Sequence, residues 1–127
     1  MAGTIVINDH ADWLPAGWVH DNVLEAVATE LRQHDAALAD DCLAARTTQS
    51  HGYFDMRGLD AETYRRFLSA AEQALATIQL AGPDAVTRRD FYPGYVAQFQ
   101  RFCELLRSDP RATVDGAVSA ARHAHGA

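Results

Sequence analysis

Apolar residues recur along this chain mostly at spacings of three and four, the repeat of a helix face turned toward a core. Leu24, Val27, Ala28, Leu31, Leu38 and Cys42 fall within one narrow stripe, which predicts a first helix from Asp21 to Arg46. Pro15 and Gly17 precede it and mark a turn. Asp35 lies in the middle of the stripe. Either the helix breaks near His34, or a carboxylate points at the core and requires an arginine or a helix N-terminus as its partner.

A second helix starts at Asp60, a good N-cap, and places Tyr64, Phe67, Leu68, Ala71, Ala74, Leu75 and Ile78 on one face before Gly82-Pro83 ends it. A third runs from Pro93 to Ser108, with Tyr95, Val96, Phe99, Phe102, Cys103 and Leu106 inward, and Asp109-Pro110 stops it. From Thr113 to His123 the chain is alanine-rich, with Val114 and Val118 its only larger apolar residues, and reads as a weakly packed fourth helix or a fraying tail.

Two stretches lack this period. Thr4 to Ile7 is β-branched, but with no partner strand in view it reads as an extended arm packed on helices. The connection from Arg46 to Asp60 is long for a helix-to-helix link and carries Tyr53, Phe54 and Met56, so it either folds over the end of the bundle or forms a binding surface. Trp13 and Trp18 flank Pro15-Ala16-Gly17 and are expected to staple the arm to the bundle. The expected fold class is therefore all-α. It is a small bundle of three to four helices, with a short N-terminal arm over 1–17, a long loop between helices 1 and 2, and a weakly ordered tail over 113–127. At 127 residues and 48% hydrophobic content, the chain is one domain with one core.

Charge adds a direction to this outline. The net charge is −6, and it originates in the first third: residues 1–41 hold eight acids against Arg32 alone, a net of −7. Such a field attracts cationic partners and repels nucleic acid. No run approaches the roughly 18 apolar residues of a membrane span, and the N-terminus lacks the pattern of a secretory leader, so a cytoplasmic protein is expected.

Catalytic and cofactor motifs are missing. Six histidines invite a metal hypothesis, but Glu30 and His34 form only a lone i,i+4 pair and no H-E-x-x-H occurs, so no metal site is expected. His123 and His125 fall in the predicted tail. Ser50 and His51 are mere sequence neighbours, without a G-x-S-x-G elbow. Neither phosphate-binding glycine motif is present, which implies no nucleotide cofactor. Cys42 and Cys103, lacking C-x-x-C spacing, read as buried thiols.

The pattern favours a small, acidic, non-catalytic bacterial binding protein that docks a basic protein through Glu30, Asp40 and Asp41, with Tyr53 and Phe54 as aromatic anchors. An immunity protein or antitoxin that neutralises a bacterial toxin domain has this character. One alternative is a helical enzyme or ligand carrier with an interhelical site near Asp35, where His20 or His34 titrates. The other is a homodimeric structural subunit, whose weak fourth helix a second chain supports.

Overall fold

The structure, a computed structural model, describes residues 3–45 and 52–113. The expected last segment beyond Thr113, with His123 and His125, and the start of the long connection, with Ser50 and His51, lie outside the described residues.

In chain order the elements are β1 (Thr4–Asn8), β2 (Ala11–Trp13), α1 (Gly17–Leu31), α2 (Ala36–Ala44), β3 (Tyr53–Asp55), α3 (Ala61–Ala81) and α4 (Tyr92–Arg107). Short 3-10 turns occupy Gly82–Ala85, Arg89–Phe91 and Pro110–Ala112. The all-α expectation is overturned: the fold is α+β, with a three-stranded mixed sheet of order β2-β1-β3. The stretch expected to be an extended arm is the central strand. β1 pairs antiparallel with β2 across the Asp9-His10 turn, with a bulge between Val6 and Asn8, and parallel with β3 in the register Ile5↔Phe54. The flanking residues continue the second pairing, as the Thr4 N–H donates to the Gly52 carbonyl and the Met56 N–H to the Val6 carbonyl, both at 2.8 Å. Gly52 enters β3 at φ +71°, a left-handed conformation that suits glycine. The partner strands were missed because each is only three residues long, too short for a two-residue period to register.

The sheet buries one face. Ile5, Trp13 and Phe54 sit side by side across the three strands, and all are buried against the helices. Trp13 stacks on Phe102 of α4 at 4.4 Å between centroids, Phe54 stacks on Phe67 of α3 at 5.7 Å, and Phe67 meets Phe102 edge-on at 6.0 Å. Four rings thus join both outer strands to both long helices, each worth on the order of 2–3 kcal/mol in apolar burial. The tryptophans therefore divide: Trp13 lies within β2, whereas Trp18 stands on α1, part-exposed, and stacks on Phe91 and Tyr95.

The helical expectations for the second and third helices agree with the structure. Asp60 caps α3, its Oδ1 accepting the Thr63 N–H at 2.7 Å, and Gly82 ends the helix at φ +72°. The predicted single first helix is two, and it begins earlier, at Gly17.

A polar cluster locks the sheet to the helices where the chain leaves α4. The Arg111 guanidinium donates to the carbonyls of Ile7, Met56 and Leu59, each at 2.8 Å, and to both oxygens of Asp109 at 2.9 and 3.0 Å. It lies 4.1 Å over the Tyr64 ring, whose hydroxyl donates to the Leu106 carbonyl at 2.7 Å. The Asn8 amide donates to Asp109 at 3.0 Å. Burial pushes the Asp109 carboxyl up, but the hydrogen bonds from Arg111 and Asn8 outweigh it and hold the pKa below the ordinary carboxylate range.

A folded-state pKa below the unfolded one stabilises the fold at pH values above the unfolded pKa of about 3.9, and that contribution disappears as pH falls through the folded value. Urea unfolding of Asp109→Asn is accordingly expected to show a flatter loss of stability below about pH 4 than the unmodified chain. Arg111→Ala strands three carbonyls and a buried carboxylate, and is expected to cost about 3–5 kcal/mol at neutral pH in the same assay.

Candidate functional site

The site is best built outward from the break in the first predicted helix. α1 ends at Leu31, whose carbonyl accepts the N–H groups of both His34 (2.9 Å) and Asp35 (2.7 Å). Asp35 is extended, at φ −155°, and its Oδ1 accepts the Leu38 N–H at 3.1 Å, which starts α2. Its Oδ2 accepts Arg66 Nε of α3 at 3.2 Å. Both outcomes considered for this carboxylate hold together: the helix breaks, and the carboxylate finds a helix N-terminus and an arginine. Aspartate is a strong N-cap and the following Ala36-Ala37 favours helix, so the break occurs where local propensity permits it. Arg66 also donates to Glu62 at 3.0 Å and to the Thr63 hydroxyl at 3.2 Å.

The break turns α2 into a separate element with a distinctive outer face. Leu38, Ala39 and Cys42 face inward. Ala36, Ala37, Asp40, Asp41 and Ala44 are exposed, and their spacing puts them on one stripe. Neither Asp40 nor Asp41 has an ion-pair partner among the described residues. Beneath them the Cys42 thiol is pushed up to about 12, first by burial and then by Asp41 and Asp35, so it stays protonated at neutral pH. Cys103 is likewise free, buried and raised to about 11, chiefly by burial.

A groove of about 450 Å³ opens between the end of α1 and the middle of α3. Glu30 and His34 line one side, Ser69 and Gln73 the other, with Leu31 and Ala70 between them and Arg66 present as well. Glu30, expected on a docking face, and His34, expected at a polar interhelical site, therefore share one groove beside the Asp35–Arg66 pair.

The remaining expected site residues lie elsewhere. His20, near the start of α1, is about 17 Å along the helix from Leu31 at 1.5 Å rise per residue. It is fully buried, its Nδ1 lies 2.9 Å from Asp21, and its Nε2 has no hydrogen-bond partner among the described residues. A Cβ on Gly3 would come within 2.2 Å of its ring, so glycine is required for the chain to pass. His20 and Asp35 therefore do not form one polar site. Tyr53 is exposed on the edge strand β3, whereas Phe54 points the other way into the core against Phe67, as the alternation of a strand dictates. Asp109 was read from the sequence only as a helix stop, and neither Arg66 nor Arg111 was expected at a site. Arg111 draws on two distant segments, through Ile7 and through Met56 and Leu59, Asp109 on Asn8, and Arg66 on Asp35, so the contacts that place them are largely non-local.

Among the described residues, no group of three His, Cys, Asp or Glu side chains is placed to hold a metal ion. No described helix is long and apolar enough to cross a membrane.

No protein-family model matches the chain, and no curated protein matches it. Its fold matches a chain in the solved structure of the "CdiA-CT toxin from Burkholderia pseudomallei E479 in complex with cognate CdiI immunity protein". The TM-score is 0.68 with 19% identity, over 88% of this chain and 100% of that one. At that identity the likeness carries the fold alone, and the fold includes the sheet.

Asp35→Asn keeps an N-cap acceptor but loses the charge facing Arg66, and urea unfolding is expected to show a loss of at most about 1 kcal/mol, the range for a part-exposed ion pair. Asp35→Ala removes both interactions and is expected to cost about 1–2 kcal/mol more, with the loss of far-UV helical signal concentrated in α2.

Proposed function

We propose that this chain is the binding member of a toxin–immunity type of pair, a non-catalytic protein that docks a cationic protein and blocks its action. The observation that carries this reading is the outer face of α2, where Asp40 and Asp41 stand exposed among alanine methyls with no ion-pair partner among the described residues. Small neighbours let a partner backbone or a long basic side chain approach closely, and two uncompensated carboxylates attract it from a distance. The net charge of −6 extends that field. Tyr53, exposed on the sheet edge, supplies an aromatic contact, while Phe54 supports it from the core. The solved complex of a toxin with its immunity protein supports a role in such a pair. The matched neighbour is the toxin of that complex, and at 19% identity the likeness carries the fold alone; the choice of the binding member rests on the charge of this chain and its exposed acidic face.

Two measurements test the proposal. Expressed alone in a bacterial host, the chain is expected to leave growth unchanged; growth arrest would place it on the toxic side and overturn the reading. A basic partner captured at low salt is expected to bind the Asp40→Arg/Asp41→Arg double variant at least about tenfold more weakly, with a flatter salt dependence. Unchanged affinity and salt dependence would rule out the α2 face.

A further inference from the structure

The groove beside α1 carries an uneven charge balance. Arg66 is its only permanent cation among the described residues, and two carboxylates, Asp35 at 3.2 Å and Glu62 at 3.0 Å, already neutralise it. Glu30 lines the same groove without an ion-pair partner among the described residues. The groove therefore carries an excess of negative charge next to uncharged hydrogen-bonding groups, the Ser69 hydroxyl and the Gln73 amide, and an apolar floor of Leu31 and Ala70. An adjoining hollow of about 420 Å³ shares Ser69 and Gln73 but has the opposite character. There Arg65 has a buried Nη1 with no hydrogen-bond partner among the described residues, and Glu72 is engaged by Arg107 at 3.1 Å. The excess of negative charge is thus confined to the Glu30 end.

We infer that this groove is a receptor for one arginine side chain of the cationic partner, which rests on the docking reading given above. A guanidinium on a three-carbon stem matches the lining group by group. The stem covers Leu31 and Ala70, the charge meets Glu30, and the remaining N–H donors reach the Ser69 and Gln73 oxygens. Glu30 is the member that sets the sign of the ligand, since it is the carboxylate among the described lining residues, and Asp35 and Glu62 behind the lining already hold Arg66. An anionic ligand would meet the Glu30 carboxylate, and beside it among the described lining residues stand only the His34 imidazole and an Arg66 that two carboxylates already hold. Arginine suits the groove better than lysine because its planar fork can satisfy several acceptors at once.

The test uses the full chain and N-acetyl-L-argininamide as the probe, followed by amide chemical shifts in 15N-labelled protein at low salt. Saturable shifts at Leu31, Ser69, Ala70 and Gln73 are expected, with a dissociation constant in the range of about 1–10 mM. The uncharged citrulline analogue is expected to produce none, and Glu30→Gln is expected to weaken binding at least about fivefold with an otherwise unchanged spectrum. Shifts that are absent, do not saturate, or are indifferent to Glu30→Gln overturn the inference. With a captured partner the two readings separate. If Glu30→Gln leaves its affinity intact while the Asp40→Arg/Asp41→Arg variant loses it, the groove is wrong and the docking reading stands. If the probe binds as expected but the chain neutralises no cationic partner, the docking reading is wrong and the groove stands as a guanidinium site.

Discussion

Arg111 is the constraint on which the rest of the architecture depends. A three-stranded sheet with strands of three, five and three residues has little independent stability, and its edges leave carbonyls without strand partners. One guanidinium accepts that burden by donating to Ile7 of β1 and to Met56 and Leu59 beyond β3, while Asp109 holds it from the end of α4. Even a part-buried arginine is costly unless its charge and donors are met, and here a carboxylate, three carbonyls and the Tyr64 ring meet them. The geometry specifies how sheet and helices meet, because carbonyls from two separate segments must converge on one planar group.

The aromatic contacts act on the same joint without directional demand. Trp13, Phe102, Phe67 and Phe54 fill the space between sheet and helices. Apolar burial supplies most of the free energy, while the polar cluster selects one arrangement from those that burial alone would permit.

A second ion pair, weaker and nearer the surface, shapes the candidate site. Asp35 ends one helix, begins another and ties the junction to Arg66. Because α2 departs from α1 at this junction, Asp40 and Asp41 lie on an exposed alanine face of their own, and Glu30 and His34 border a groove instead of continuing a helix surface. The neutralisation of Arg66 by Asp35 and Glu62 also leaves Glu30 as the groove carboxylate without an ion-pair partner among the described residues.

Local sequence determined those features whose causes are local. The α3 and α4 stripes, the Asp60 cap, the Gly82 terminus and the buried thiols were all legible, because a helix states its period, its start and its stop within its own residues. The acidic bias of the first third was legible as well, since net charge needs no coordinates. Tertiary structure alone decided that Thr4–Asn8 is a central strand, because its hydrogen-bond partners are two three-residue segments, one of them beyond two helices. It also decided that Phe54 is core while Tyr53 is surface, that His20 and His34 are far apart, and that Arg66 is neutralised. Strand pairing and charge compensation are contacts between distant parts of the chain, and one residue's identity does not specify which distant group will answer it.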